Sequence, residues 1–135
     1  MNKIKNLLQK KLIIYLSIFI LSNNILSDVL LESINTHKTK FENVALEIWN
    51  FAELGYQEEK SSSLLAQSLE DEGFVVKRGL AGIPSAFTAE YNNGGPIIGI
   101  LGEFDALPGL AQTASPFKEV NNNETGAGHA CGHHL

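Results

Sequence analysis

The sequence predicts an α/β fold, with helices packed on a mixed sheet, and three observations predict it. Apolar residues recur at helical spacing over residues 41–52 and again within residues 58–72. Two short β-type runs follow, at residues 74–76 and 85–91, and lead into an Asn-Asn-Gly-Gly turn. Pro96 then opens the unbroken apolar run of residues 97–101, which reads as a buried central strand. Two helices, a hairpin-like pair and a buried strand together open an α/β layer arrangement.

Each element has a local reason. The first helix runs from about Asp28 or Thr36 to Phe51. Its residues Phe41, Val44, Ala45, Ile48 and Ala52 fall at i, i+3, i+4, i+7 and i+11, one amphipathic face, and Gly55 is expected to end it. The second helix turns Leu64, Leu65 and Leu69 inward and Glu70, Asp71 and Glu72 outward. Gly73 suits the left-handed residue that closes such a helix, because it has no Cβ to clash. In the second β-type run, Ala86, Thr88 and Glu90 alternate against Phe87, Ala89 and Tyr91. Beyond Asp105 periodicity is lost, and residues 109–128 read as loop from Gly109, Pro116, the asparagines at 121–123, Gly126 and Gly128. No internal repeat or low-complexity tract interrupts the chain.

Charge excludes one class of partner. The 135 residues hold ten basic and fifteen acidic groups, and four of the basic ones (Lys3, Lys5, Lys10 and Lys11) lie in the first eleven positions. The body therefore sets six basic groups against all fifteen acidic ones, with no basic stripe to neutralise phosphates. Nucleic acid is not an expected partner. The single cysteine, Cys131, rules out an intrachain disulfide.

The four lysines precede an apolar run at residues 12–21 broken only by Ser17, which is the layout of a signal peptide. Ten apolar residues in a helix cover about 15 Å, roughly half a bilayer core. Extending the run to Leu26 takes in Ser22, Asn23 and Asn24. Ser27 offers a small residue for cleavage, with Ile25 where a second small residue is wanted. Residues 1–27 are thus expected to be a signal peptide or N-terminal membrane anchor, making the protein exported, periplasmic or membrane-anchored. The alternative is an N-terminal helix of a cytoplasmic protein.

Chemistry-bearing residues gather late in the chain. Glu103 and Asp105 stand where the predicted strand ends, the place where open α/β sheets bind ligands. At i and i+2 on an extended chain they point to one side, able to bind a cation, to orient a histidine, or to be solvated. Residues 129–135 hold three of the four histidines and the cysteine. In an extended segment His129, Cys131 and His133 share a face that His134 does not, and imidazole and thiolate are good zinc ligands. Such spacing serves a metal only on an extended or looped backbone, since i and i+2 diverge on a helix. The competing reading is a histidine-rich tail that happens to include a cysteine. His37 is expected at the surface.

Several segments together carry a resemblance. Trp49-Asn50-Phe51-Ala52-Glu53-Leu54-Gly55-Tyr56, then Glu58-Glu59, then Leu69-Glu70-Asp71-Glu72-Gly73-Phe74 are three of them. Gly82-Ile83-Pro84-Ser85-Ala86-Phe87, Gly102-Glu103-Phe104-Asp105-Ala106-Leu107-Pro108-Gly109 and Gly128-His129-Ala130-Cys131-Gly132-His133 are the others. In order and with sensible gaps, from about residue 36 to Leu135, these resemble the co-catalytic metallopeptidase and amidohydrolase family. That family includes carboxypeptidase G, hippurate hydrolase and auxin-conjugate hydrolases, and the chain is similar to its aminobenzoyl-glutamate hydrolase branch.

The resemblance implies a set of expectations. Residues 28–135 are the N-terminal portion of a metallopeptidase-type catalytic domain. Cys131, as thiolate, and His133 match metal ligands; Asp105 matches the acidic residue that positions the metal site; Glu103, as in the aminobenzoyl-glutamate branch, is a weaker candidate ligand. His129 belongs to the motif without being assigned as a ligand, and His134 departs from it, where Asp or Asn is usual. The complete enzyme is expected to use two divalent ions, zinc or manganese, to hydrolyse amide bonds in N-acyl amino acids, dipeptides or aminobenzoyl-glutamate-like substrates. The general-base glutamate, further ligands and a smaller domain for a homodimer or paired subunit are expected beyond Leu135, so that this chain alone is a truncated, inactive fragment. The alternative function is a non-catalytic exported or anchored module that binds a metal or a partner.

Overall fold

The computed structural model describes residues 2–122 and 125–135. The chain divides into two compact units, Met1–Lys40 and Phe41–Leu135.

Helix α1 spans Asn2–Phe51. Within the first unit its described apolar side chains, among them Leu12, Ile13, Leu30 and Ile34, are exposed. Among the described residues no helix is long and apolar enough to cross a membrane. Most side chains of the 12–21 run, on which the export expectation rests, lie outside those described.

The second unit holds the site. The last turns of α1 bury the face that the periodicity predicts: Ile48 and Ala52 are buried, Val44 and Ala45 half-buried, while Phe41, at the start of that face, is exposed. The helix stops at Phe51 as expected, but the residue that turns the backbone is Ala52, not Gly55. Ala52 takes a φ of 44°, its N–H still donating to Ile48 O at 3.1 Å. A left-handed alanine costs about 1–2 kcal/mol, and here its methyl is wholly buried with Ala106, Ala127 and Leu54 in a small core.

Helix α2 covers Glu59–Asp71. Its most buried residues are the small ones, Ser61, Ser62 and Ala66, whereas Leu64, Leu65 and Leu69 are half-buried. Its N-terminus is capped from a distance: the Glu53 carboxylate accepts from Lys60 N at 3.0 Å, and from both Ser61 N and Ser61 Oγ at 2.8 Å. A carboxylate there satisfies orphan N–H groups and faces the positive end of the helix dipole. At the other end Gly73, with φ 87°, donates to Glu70 O and Phe74 donates to Leu69 O, a Schellman closure.

Strands β1 (Val75–Arg78) and β2 (Phe87–Glu90) pair antiparallel, with Val76 opposite Ala89 and Arg78 opposite Phe87. A 3-10 turn, Leu80–Gly82, joins them. The Arg78 guanidinium grips Glu70 with two bonds, at 2.6 and 2.9 Å, tying the hairpin to α2. Glu70 is therefore half-buried rather than turned fully outward. The Asn92 side chain accepts from Gly94 N at 2.9 Å, closing the predicted turn.

The predicted central strand is absent. Residues 97–101 form no ladder, and Ile97 is 100% and Leu101 92% exposed. A strand is buried by its neighbours, and among the described residues none lies alongside this run. In place of one mixed sheet, the described residues of the unit form two small antiparallel pairs. The second joins β3 (Leu107–Pro108) to β4 (Ala127–Gly128). The only parallel contact among the described residues is an isolated bridge between Leu54 and Ala106. Helices with small antiparallel sheets keep the α/β character and lose the mixed sheet. Within the predicted loop, a bridge from Gln112 to Val120 adds local order.

Candidate metal centre

Two chain segments bring the site together. The first is residues 103–106, fixed where Ala106 N donates to Glu53 O at 2.7 Å. Phe104 stacks on Phe87 with ring centres 6.1 Å apart. On an extended backbone that sends Glu103 and Asp105 to the opposite side together. The second segment, residues 129–135, is looped: Gly132 N donates to His129 O at 3.1 Å and Leu135 N to Gly132 O at 3.0 Å, with Gly132 at φ 81°. The register between them is set at Gly128, where any Cβ would collide with the backbone of Leu110.

His133 is the meeting point. Its Nδ1 lies 2.7 Å from Asp105 Oδ1 and its Nε2 lies 3.0 Å from Glu103 Oε2. Both carboxylates favour the charged ring, so the imidazole is held above the usual histidine pKa, by the Asp105 hydrogen bond first and against partial desolvation. Of the open readings for the two carboxylates, both contact a histidine.

Cys131 lies apart from this trio, its thiol free and exposed. Among the described residues no group of three or more His, Cys, Asp or Glu side chains is arranged to hold a metal ion. Glu103 and His133 offer two donors, where a zinc site takes three or four protein ligands. Two ligands each about 2.0–2.1 Å from a zinc-like ion lie roughly 2.9–3.4 Å apart, and His133 Nε2 and Glu103 Oε2 have that separation. An acidic partner on the other ring nitrogen, here Asp105, is the usual support of a ligating histidine.

The loop also undoes the expected grouping of His129 with Cys131 and His133. His129 is buried beneath α1, where its Nε2 donates to Ile48 O at 3.0 Å. His134 turns the same way, its ring 4.8 Å from Trp49 and 5.2 Å from His129. Burial, and then the nearby His129, push the His134 pKa down. No sequence signal points to this grouping of Trp49, His129 and His134, because it depends on the turn at Gly132. His37 is exposed, as expected, with Nδ1 2.8 Å from Ser33 O.

Two carboxylates meet on one histidine here, and the sequence relatives are named as hydrolases and a carboxypeptidase. No family model matches the chain. The chain is 32% identical over 99 residues to the hippurate hydrolase of Campylobacter jejuni, covering 70% of this chain and 24% of that one. It is 33% identical over 88 residues to the thermostable carboxypeptidase 1 of Saccharolobus solfataricus, covering 64% and 21%. To a subunit of the p-aminobenzoyl-glutamate hydrolase of Escherichia coli it is 38% identical over 104 residues, covering 77% of this chain and 22% of that protein. The chain is thus a relative of the amidohydrolases and carboxypeptidases to which its motifs point, and it spans about a fifth of the length of these curated relatives.

Proposed function

We propose that this chain supplies the first ligand cluster of a metal-dependent amidohydrolase acting on N-acyl amino acids, dipeptides or aminobenzoyl-glutamate-like amides. The observation that carries the reading is His133 set between two carboxylates, within motifs collinear with amidohydrolases. Asp105 orients the ring through Nδ1, and His133 Nε2 and Glu103 are ligands; Cys131, apart from them in this structure, is the ligand that the resemblance to amidohydrolases adds. Divalent ions in such a site polarise a carbonyl and lower the pKa of water. The residues of this chain bind and orient; the proton-accepting glutamate of the complete enzyme belongs outside it, so the 135 residues alone are inactive. The fully exposed run at residues 97–101 supports that view, since it leaves an apolar surface uncovered. One relative is named as a subunit of its hydrolase, which supports a paired subunit. The basic and then apolar N-terminus supports export or anchoring of residues 1–27.

The test is hydrolysis of hippurate and p-aminobenzoyl-glutamate by the complete protein, with and without chelator. Activity that chelator removes and zinc or manganese restores is expected, as is its loss in Cys131→Ser. Hydrolysis undiminished by chelator would overturn the metal mechanism. A cooperative thermal transition with amidase activity in the isolated 135-residue chain would overturn its assignment as an inactive piece.

A further inference from the structure

We propose that His129 and His134 form a second metal site, made of nitrogen donors only and distinct from Glu103, Cys131 and His133. Three observations carry it. First, the His129 and His134 Nδ1 atoms are both buried and have no hydrogen-bond partner among the described residues. A buried ring nitrogen without a partner is costly, and binding a cation through it removes that cost. Second, the His129 tautomer is fixed. Its Nε2 donates to Ile48 O, a carbonyl in the last turn of α1, so the proton sits on Nε2 and the lone pair on Nδ1. A hydrogen bond from the far nitrogen to a carbonyl is the usual support for a ligating histidine.

Third, the spacing fits one ion. An imidazole bound at about 2.0–2.1 Å has its ring centre roughly 3.2 Å from the metal, so two at a tetrahedral angle have ring centres roughly 5.2 Å apart. The His129 and His134 ring centres are 5.2 Å apart. Trp49 covers the pair, with its ring 4.8 Å from that of His134 and 6.3 Å from that of His129. His129 is 4% exposed and His134 half-buried. Imidazole-only donors suit zinc, cobalt, nickel or copper over magnesium or calcium.

The experiment uses cobalt(II) as the probe, on the full chain carrying Cys131→Ser and His133→Gln to silence the other cluster. One equivalent of cobalt is expected to bind, with visible ligand-field bands and no thiolate-to-cobalt charge-transfer band. Adding His129→Gln or His134→Asn to that background is expected to weaken binding at least tenfold. If His129→Gln alters the far-ultraviolet circular dichroism, His134→Asn decides, because that side chain is only half-buried. Failure of the doubly substituted chain to bind cobalt, or undiminished binding with His134→Asn, overturns the proposal and leaves the Cys131 and His133 assignment standing.

Discussion

His133 and Asp105, 28 residues apart in sequence, are joined at 2.7 Å, and this contact fixes which ring nitrogen of His133 faces Glu103. It also has a measurable signature. Asp105 and Glu103 raise the His133 pKa above the ordinary histidine value. The stabilisation is complete below the unfolded histidine pKa and is lost as pH rises through the higher folded one. In metal-free protein, the His133 ring resonances are expected to titrate above the ordinary range, and Asp105→Asn should bring the midpoint down. An unmoved midpoint would mean that Asp105 does not hold the ring.

Glu53 shows what a motif residue does structurally. Its carboxylate caps α2 from outside that helix while its carbonyl accepts from Ala106, next to Asp105. Glu53→Ala is expected to cost about 1 kcal/mol, the usual value of a lost helix cap, read from urea unfolding of the protein. Hydrogen exchange at the Lys60 and Ser61 amides should rise with it. A loss of stability without faster exchange there would place the effect elsewhere.

The features legible in the sequence are those that short-range physics decides. The Gly73 closure of α2, the alternation of Phe87 and Ala89 against Thr88 and Glu90, and the shared direction of Glu103 and Asp105 each depend on neighbouring backbone alone. What stayed hidden depends on distant partners. The run at residues 97–101 has the composition of a buried strand, but composition cannot supply the strand that would bury it. The Glu53 cap spans seven and eight residues, outside any capping-box spacing. The separation of His133 from His129 and His134 follows from a turn at Gly132, and a period-two reading of the same residues groups them otherwise.

Gly128 tests the register of the site. A methyl there would meet the Leu110 backbone, which has no flexible end to give way, and the glycine φ is not in the left-handed region. Gly128→Ala is therefore expected to destabilise by about 1–3 kcal/mol through overpacking and to loosen the contact of His133 with Asp105. Gly99→Ala is the control. Nothing lies within 4 Å of a Cβ at that position, and the change should stay within about 0.5 kcal/mol. Equal effects would mean that the Leu110 approach does not set the register.

Glu70 and Arg78 give a second pH signature, away from the site. The two bonds from Arg78 hold the Glu70 carboxyl below the usual glutamate range, by hydrogen bonding first, against desolvation that outweighs the smaller charge attraction. A depressed carboxylate pKa means a contribution present above the unfolded value and lost as pH falls through the folded one. The tie between α2 and β1 is thus expected to loosen in acid, in the direction opposite to the His133 contact. Because both side chains are substantially exposed, the effect on stability is small, and the pKa is the better readout. Carboxyl-carbon NMR should place the Glu70 midpoint low in the parent and return it to the ordinary range in Arg78→Leu, and a midpoint indifferent to Arg78 would show that the pair does not persist in solution.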